Sequence, residues 1–162
     1  MNADAFRDLY AYHFKANRKL WEVGVMALTD EQFTQEIAYS IGSVRNHVVH
    51  MMDVDEGWFS DLRGLPGPEF SDAVHFTDRA VIREKWDGVE ADMRAYLNAL
   101  RDDMLMQPAF PFPETDNFPL WQVLIHVANH ATDHRAQLLR LLNDAGAPTF
   151  PQDYIFHVMG RM

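Results

Sequence analysis

Three histidines, His126, His130 and His134, recur four residues apart in the segment from Leu120 to Gln137. An α-helix turns about 100° per residue, so residues four apart stand one turn up the same face with about 40° of angular offset, close enough for two imidazoles to reach one ion. The spacing fits His126 with His130 as well as His130 with His134. Two imidazoles leave a divalent ion short of a usable coordination shell, so a third ligand has to come from another segment. His47 and His50, in the stretch from Ser43 to Trp58, supply candidates.

The order of these residues carries more than any one of them. Ser43, His50 and Trp58, followed far downstream by Asn129, His130, His134, Arg135 and Gln137 and then by Gly146, Pro148, Asp153 and Tyr154, make a chain that resembles the DinB/YfiT-like family of metalloenzymes. Ala136 stands where that family usually has glycine, a small-for-small change beside the histidines. In the family one histidine on the second helix and two on a later helix bind a divalent metal. The resemblance therefore implies His50, His130 and His134 as ligands here. It also implies the chemistry of relatives that act as transferases and isomerases on small electrophiles with low-molecular-weight thiols such as bacillithiol or mycothiol.

Given those ligands, His126 is expected to wall a cavity or support the site, its plainer role being a bundle histidine satisfied by a carbonyl or water. His47, three residues before His50, can substitute for it but reads better as a helix-surface residue. Asp53, Asp55 and Glu56 can add a carboxylate ligand or orient an imidazole through its other N–H, and a solvated helix face accounts for them equally well. Asp133 points about 100° away from the ligand face and is expected to be exposed. Arg135, the other candidate supporting residue, and Gln137 can hold a carboxylate substrate or tie helices together. Unperturbed imidazoles titrate near about 6.5, so three of them predict metal affinity that falls between about pH 7 and about pH 5.

Composition limits the alternatives. The chain has no cysteine, which excludes disulfides, thiolate ligands and a cysteine nucleophile, leaves histidine and carboxylates as the strong metal ligands and favours borderline ions such as Zn²⁺ or Ni²⁺ over thiophilic ones. A net charge of -10 with 14 scattered Lys and Arg residues argues against a nucleic-acid partner. No run approaches about 20 apolar residues. The start, Met-Asn-Ala-Asp-Ala-Phe-Arg-Asp, lacks a basic n-region and apolar h-region, so a cytoplasmic protein without membrane attachment is expected. Ser40, Ser43, Ser60 and Ser71 sit in no Gly-x-Ser-x-Gly context, and no phosphate-binding glycine loop is present.

The elements that must position the histidines follow from periodicity. The 162 residues, 48% hydrophobic, suffice for one domain, 1–162. Apolar residues recur at helical spacing from about Ala3 to Ala27, with Thr29 to Glu31 ending that segment and able to start a short turn of helix. A second helix is expected from about Ser43 to Asp61, Ser43 being a good N-cap, and a loop from Gly64 to His75. A third, from about Thr77 to Asp103, has Val81, Trp86, Val89, Met93, Tyr96, Leu97 and Leu100 as its inner stripe. Pro108, Pro111 and Pro113 with Thr115, Asp116 and Asn117 mark an irregular connector or short hairpin. A fourth helix from Pro119 to Ala145 ends at Gly146.

These segments predict an all-α four-helix bundle with a short extra C-terminal helix in the tail after Phe150, the metal lying between facing helices. Trp58, Trp86, Trp121 and the nine methionines are expected to be core. The leading functional expectation is a thiol-dependent transferase or isomerase with a small-molecule substrate. Its alternatives are a metal-dependent hydrolase and a non-catalytic, stress-associated metal-binding bundle, and a homodimer fits the long apolar faces.

Overall fold

Six α-helices follow one another in the computed structural model, which describes residues 1–111 and 118–162: α1 Ala3–Lys19, α2 Asp30–Thr34, α3 Val44–Leu62, α4 Arg79–Ala99, α5 Leu120–Asp144 and α6 Tyr154–Val158. Among the described residues there is no strand, only an antiparallel bridge between Pro108 and Pro119. That bridge, with Ala109 N–H donating to the Phe118 carbonyl at 2.8 Å, closes the base of the proline-rich connector. Pro113, Thr115, Asp116 and Asn117 lie outside the described residues.

Local chemistry sets the helix ends. The Asn2 side chain accepts from Ala5 N–H at 3.0 Å, and Arg18 and Lys19 occupy the last turn of α1, where the carbonyl end of the helix favours cations. Helical winding continues to Ala27 as expected, but it changes pitch: Leu20–Gly24 forms a π turn and Val25–Ala27 a 3-10 turn. The wider turn brings Leu20, Trp21 and Gly24 inward together. At Gly24 a side chain would place its Cβ 2.5 Å from Leu142 Cδ1, so glycine is what lets this turn approach the end of α5. Thr29 and Gln32 then exchange side-chain-to-backbone bonds in a capping box that starts α2.

One boundary and one core position of α4 differ from expectation. α4 ends at Ala99, where Leu100 turns to extended backbone, and Asp102–Met104 is a separate 3-10 turn; the Asp102 carboxylate accepts from Ala3 N–H at 2.7 Å and caps α1 instead of continuing a helix. The inner stripe of α4 runs through Ile82, Trp86, Val89, Met93 and Leu97, while Val81 is 52% exposed. From Ile82 the steps of four and three hold one face; Val81 lies about 100° off it. The loop after α3 contains one 3-10 turn, Ala73–His75, and α5 ends with Gly146 at φ +78, the left-handed position glycine favours.

The four long helices close into a ring in which α3 packs on α4 and α5 while α1 packs on the same two. α1 therefore faces α3 across the bundle axis. No helix among the described residues is long and apolar enough to cross a membrane. Sealed side chains such as Phe6, Val48, Met52, Leu124 and Leu138 fill the interior, each contributing roughly 1.5–3 kcal/mol by burial.

A chain of polar groups crosses this apolar core. His13 Nε2 on α1 lies 3.2 Å from the Asp55 carboxylate on α3 and 3.1 Å from the Asn17 amide nitrogen. The Asn17 oxygen accepts from Arg135 on α5 at 2.8 Å. Arg135, fully buried, also donates to Gln152 at 3.1 Å and Thr132 at 2.9 Å, while Tyr12 donates to the Gln152 carbonyl at 2.6 Å. Burial lowers the Arg135 pKa below its usual value, with Tyr12 and Asp55 pulling the other way. Replacing Arg135 by Met would leave the Asn17, Gln152 and Thr132 oxygens without their donor, and stability should fall by about 3 kcal/mol or more. Arg140→Ala, on the solvent face, should change it by less than about 0.5 kcal/mol. Urea unfolding of the two variants beside the wild type measures both.

Candidate metal centre

Ser43 builds the near side of the site. Its hydroxyl accepts from Asn46 N–H at 3.1 Å and starts α3, and its carbonyl accepts from His47 Nδ1 at 3.0 Å. One turn on, His50 faces α5 across the α3–α5 seam. There it meets His130 and His134, the ring centroids of His50 lying 5.2 Å and 4.6 Å from theirs and those of His130 and His134 lying 4.4 Å apart. One nitrogen from each of the three rings lies within 4.8 Å of the others. The i, i+4 pair is thus His130 with His134, joined by His50 from the facing helix.

The donor set fits a divalent ion. Imidazole binds zinc at about 2.0–2.1 Å, so two ligands of a tetrahedron stand about 3.3 Å apart, and His50 Nε2 is 3.4 Å from His130 Nε2. Nδ1 of His134 is sealed from solvent with no hydrogen-bond partner among the described residues. The charges agree with this. Burial, followed by the neighbouring rings of His130, His50 and His47, pushes the His134 pKa down to about 4. Burial and His47 lower that of His50, and burial with His50 and His126 lowers that of His130. All three rings are neutral near pH 7, the form that donates a lone pair.

The other expected residues go elsewhere. His126, exposed, lies one turn before His130 with ring centroids 6.1 Å apart and sets its ring against Trp58 at 5.0 Å. With Trp58, Phe118, Gln122 and Val123 it walls a cavity of about 320 Å³. Trp58 is therefore a cavity residue, whereas Trp86 is core as expected. His47 is not on the surface. It is fully buried, its ring 6.1 Å from that of His134, and its Nε2 has no partner among the described residues.

Asp53 and Asp55 are also buried, not solvated. Asp53 accepts from Ser71 N–H at 2.6 Å and Oγ at 2.9 Å, Asp55 pairs with His13, and Glu56 pairs with Lys85 at 3.1 Å. None of the three belongs to the histidine group. Asp133 is exposed and accepts from Gln137 at 3.0 Å. Gln137 in turn accepts from Ser40, a residue held at φ +50. Arg135 makes no bond to the histidines: its bonds run to α1, Thr132 and the tail, so that it ties helices together, the second of its expected roles. Its backbone position, one residue past His134, turns it about 100° from the ligand face.

What the spacing did not disclose is the role of His13, which sits among the apolar residues on the inner face of α1. Asn17 four residues later is the signal that was present: two polar residues one turn apart at core positions imply a buried polar partner.

Comparison with known proteins gives the same outline. A family model described as "DinB family" matches residues 1–160. The chain is 26% identical over 167 residues to Protein DinB of Bacillus subtilis (strain 168), covering 95% of this chain and 93% of that protein. The crystal structure of a DinB-like protein from Bacillus cereus ATCC 10987 superposes with a TM-score of 0.76 at 22% identity, over 93% of this chain and 97% of that one.

Substituting His50, His130 or His134 by Ala should each remove most bound divalent metal, while His126→Ala should retain it; metal-to-protein ratios after dialysis read this directly. The pH dependence also follows. Protons compete with the ion for the same lone pairs, and ligands whose pKa values lie below the ordinary 6.5 are protonated only at lower pH. Affinity should accordingly hold to lower pH than unperturbed imidazoles would give and fall toward about pH 4, where His134 takes up its proton. Competition titrations across that range check it, and a loss centred near pH 7 would contradict the depressed values.

Proposed function

The chain belongs to the DinB family, and we propose that it is a divalent-metal-dependent enzyme that joins a low-molecular-weight thiol to a small electrophile, with His50, His130 and His134 holding the ion. The carrying observation is a group of three imidazoles with no fourth His, Asp or Glu in ligand reach among the described residues. That leaves coordination positions for a reactant instead of closing them with protein, the arrangement of catalytic sites. When bound, such an ion acts as a Lewis acid and lowers the pKa of a thiol or water beside it.

The protein's own groups do the rest. His50 and His134 approach from different helices and keep the donor set fixed through the packing of α3 on α5. His126, exposed and one turn from His130, is the titratable group positioned to take the thiol proton. Sulfur then forms the new bond to carbon as the leaving group departs with its electron pair. Trp58 and Val123 form an apolar wall beside this position.

Metal-loaded protein incubated with a panel of low-molecular-weight thiols and 1-chloro-2,4-dinitrobenzene should show thiol-dependent release of chloride above the metal-free control. The rate should fall at least about a hundredfold in His126→Ala, the low end of what a positioned general base contributes. No rate above the control with any thiol would count against thiol transfer.

A further inference from the structure

The cavity beside the histidines has a composition that selects its occupant. Trp58, Phe118 and Val123 give it apolar walls, Gln122 and His126 are its polar members, and no Asp, Glu, Lys or Arg lines it among the described residues. Its volume is about 320 Å³; an apolar cavity of about 150 Å³ accepts benzene, so this one has room for a substituted or fused ring. Phe118 is 48% exposed, leaving aromatic surface at the rim that a flat apolar group would cover.

Its place on the seam matters as much as its lining. His126 lies one turn from His130, about 6 Å along the helix axis, and the Trp58–His126 contact at 5.0 Å joins α3 to α5 just as the His50–His130 contact does. A molecule whose head sits at the three histidines reaches the cavity with a group about 6 Å away. Trp58 lines the cavity with its ring stacked on Phe110 at 6.0 Å, and an aromatic ring gains from an offset-stacked or edge-to-face partner. The net charge of -10 also disfavours multiply anionic molecules approaching the site.

We propose that this cavity binds an uncharged aromatic group of the substrate, so that the electrophiles accepted are aryl compounds rather than small anionic acids. The assignment rests on the three-histidine metal reading. Hydroxamates test it, because they anchor on a metal ion through their head while the substituent varies.

Calorimetry on the full-length, metal-loaded protein would compare acetohydroxamate, benzohydroxamate and 4-carboxybenzohydroxamate. Benzohydroxamate should bind at least tenfold tighter than acetohydroxamate, and the added carboxylate should abolish the gain. Trp58→Ala should bring the first two within twofold of each other without changing acetohydroxamate affinity or metal content. Gln122→Trp, made at an exposed lining position, fills the cavity without removing core and should do the same. Equal affinities for acetohydroxamate and benzohydroxamate on wild-type protein that holds its metal would overturn the cavity assignment alone. A protein that holds no metal would overturn the metal reading and the substrate assignment with it.

Discussion

Where α3 packs on α5, apolar contacts give way to imidazoles, and the seam has to satisfy two demands at once. Three rings with centroids between 4.4 and 5.2 Å apart cannot all be protonated, because like charges at that separation repel and burial penalises each of them. They can all be neutral, each ring then keeping one nitrogen lone pair, and one nitrogen of each lies within 4.8 Å of the others. Helix packing therefore maintains a cluster whose most favourable state is either uncharged or metal-bound. The site depends on holding two helices in register.

That register is supported from across the bundle. Apolar packing alone tolerates small slips between helices, but the chain from Asp55 through His13 and Asn17 to Arg135 is directional. It links α3 to α1 and α1 to α5, the helix that carries His130 and His134. Arg135 follows His134 directly, so the bonds that anchor its guanidinium also fix the rotation of α5 about its own axis, and with it the direction in which the ligand face points. Burying charge is costly, and here the cost is offset by filling nearly every donor and acceptor.

The parts of this arrangement legible in the sequence were those encoded by local spacing. The i, i+4 histidines, the Ser43 cap and the stop at Gly146 each act within one or two turns, and each appears where the residues suggest. The resemblance to a family then distinguished His130 with His134 from His126 with His130, a choice that helical geometry left open. Long-range partners were not legible. Asp53 and Asp55 look like solvated charges because Ser71, Lys85 and His13, which bury them, lie far along the chain. His47 looks like a surface residue for the same reason, its ring being enclosed by the α5 side of the seam. Val81 and Ile82 are apolar neighbours, and periodicity does not say which of them starts a stripe until the bundle chooses. The π turn at Leu20–Gly24 sets Gly24 against Leu142 on α5, a long-range contact that local preference does not reveal.

The central claim is that three imidazoles, one from α3 and two from α5, form the protein's contribution to a metal centre. X-ray absorption at the metal edge, on protein purified without added metal, tests this most directly because it counts imidazole rings and measures their bond lengths together. The account predicts three imidazole nitrogens at about 2.0–2.1 Å for zinc, with the remaining position or positions filled by a light atom from outside the protein. A shell of oxygens without imidazole scattering would contradict it, as would a fourth ring contributed by His47 or His126, which would close the site to reactants.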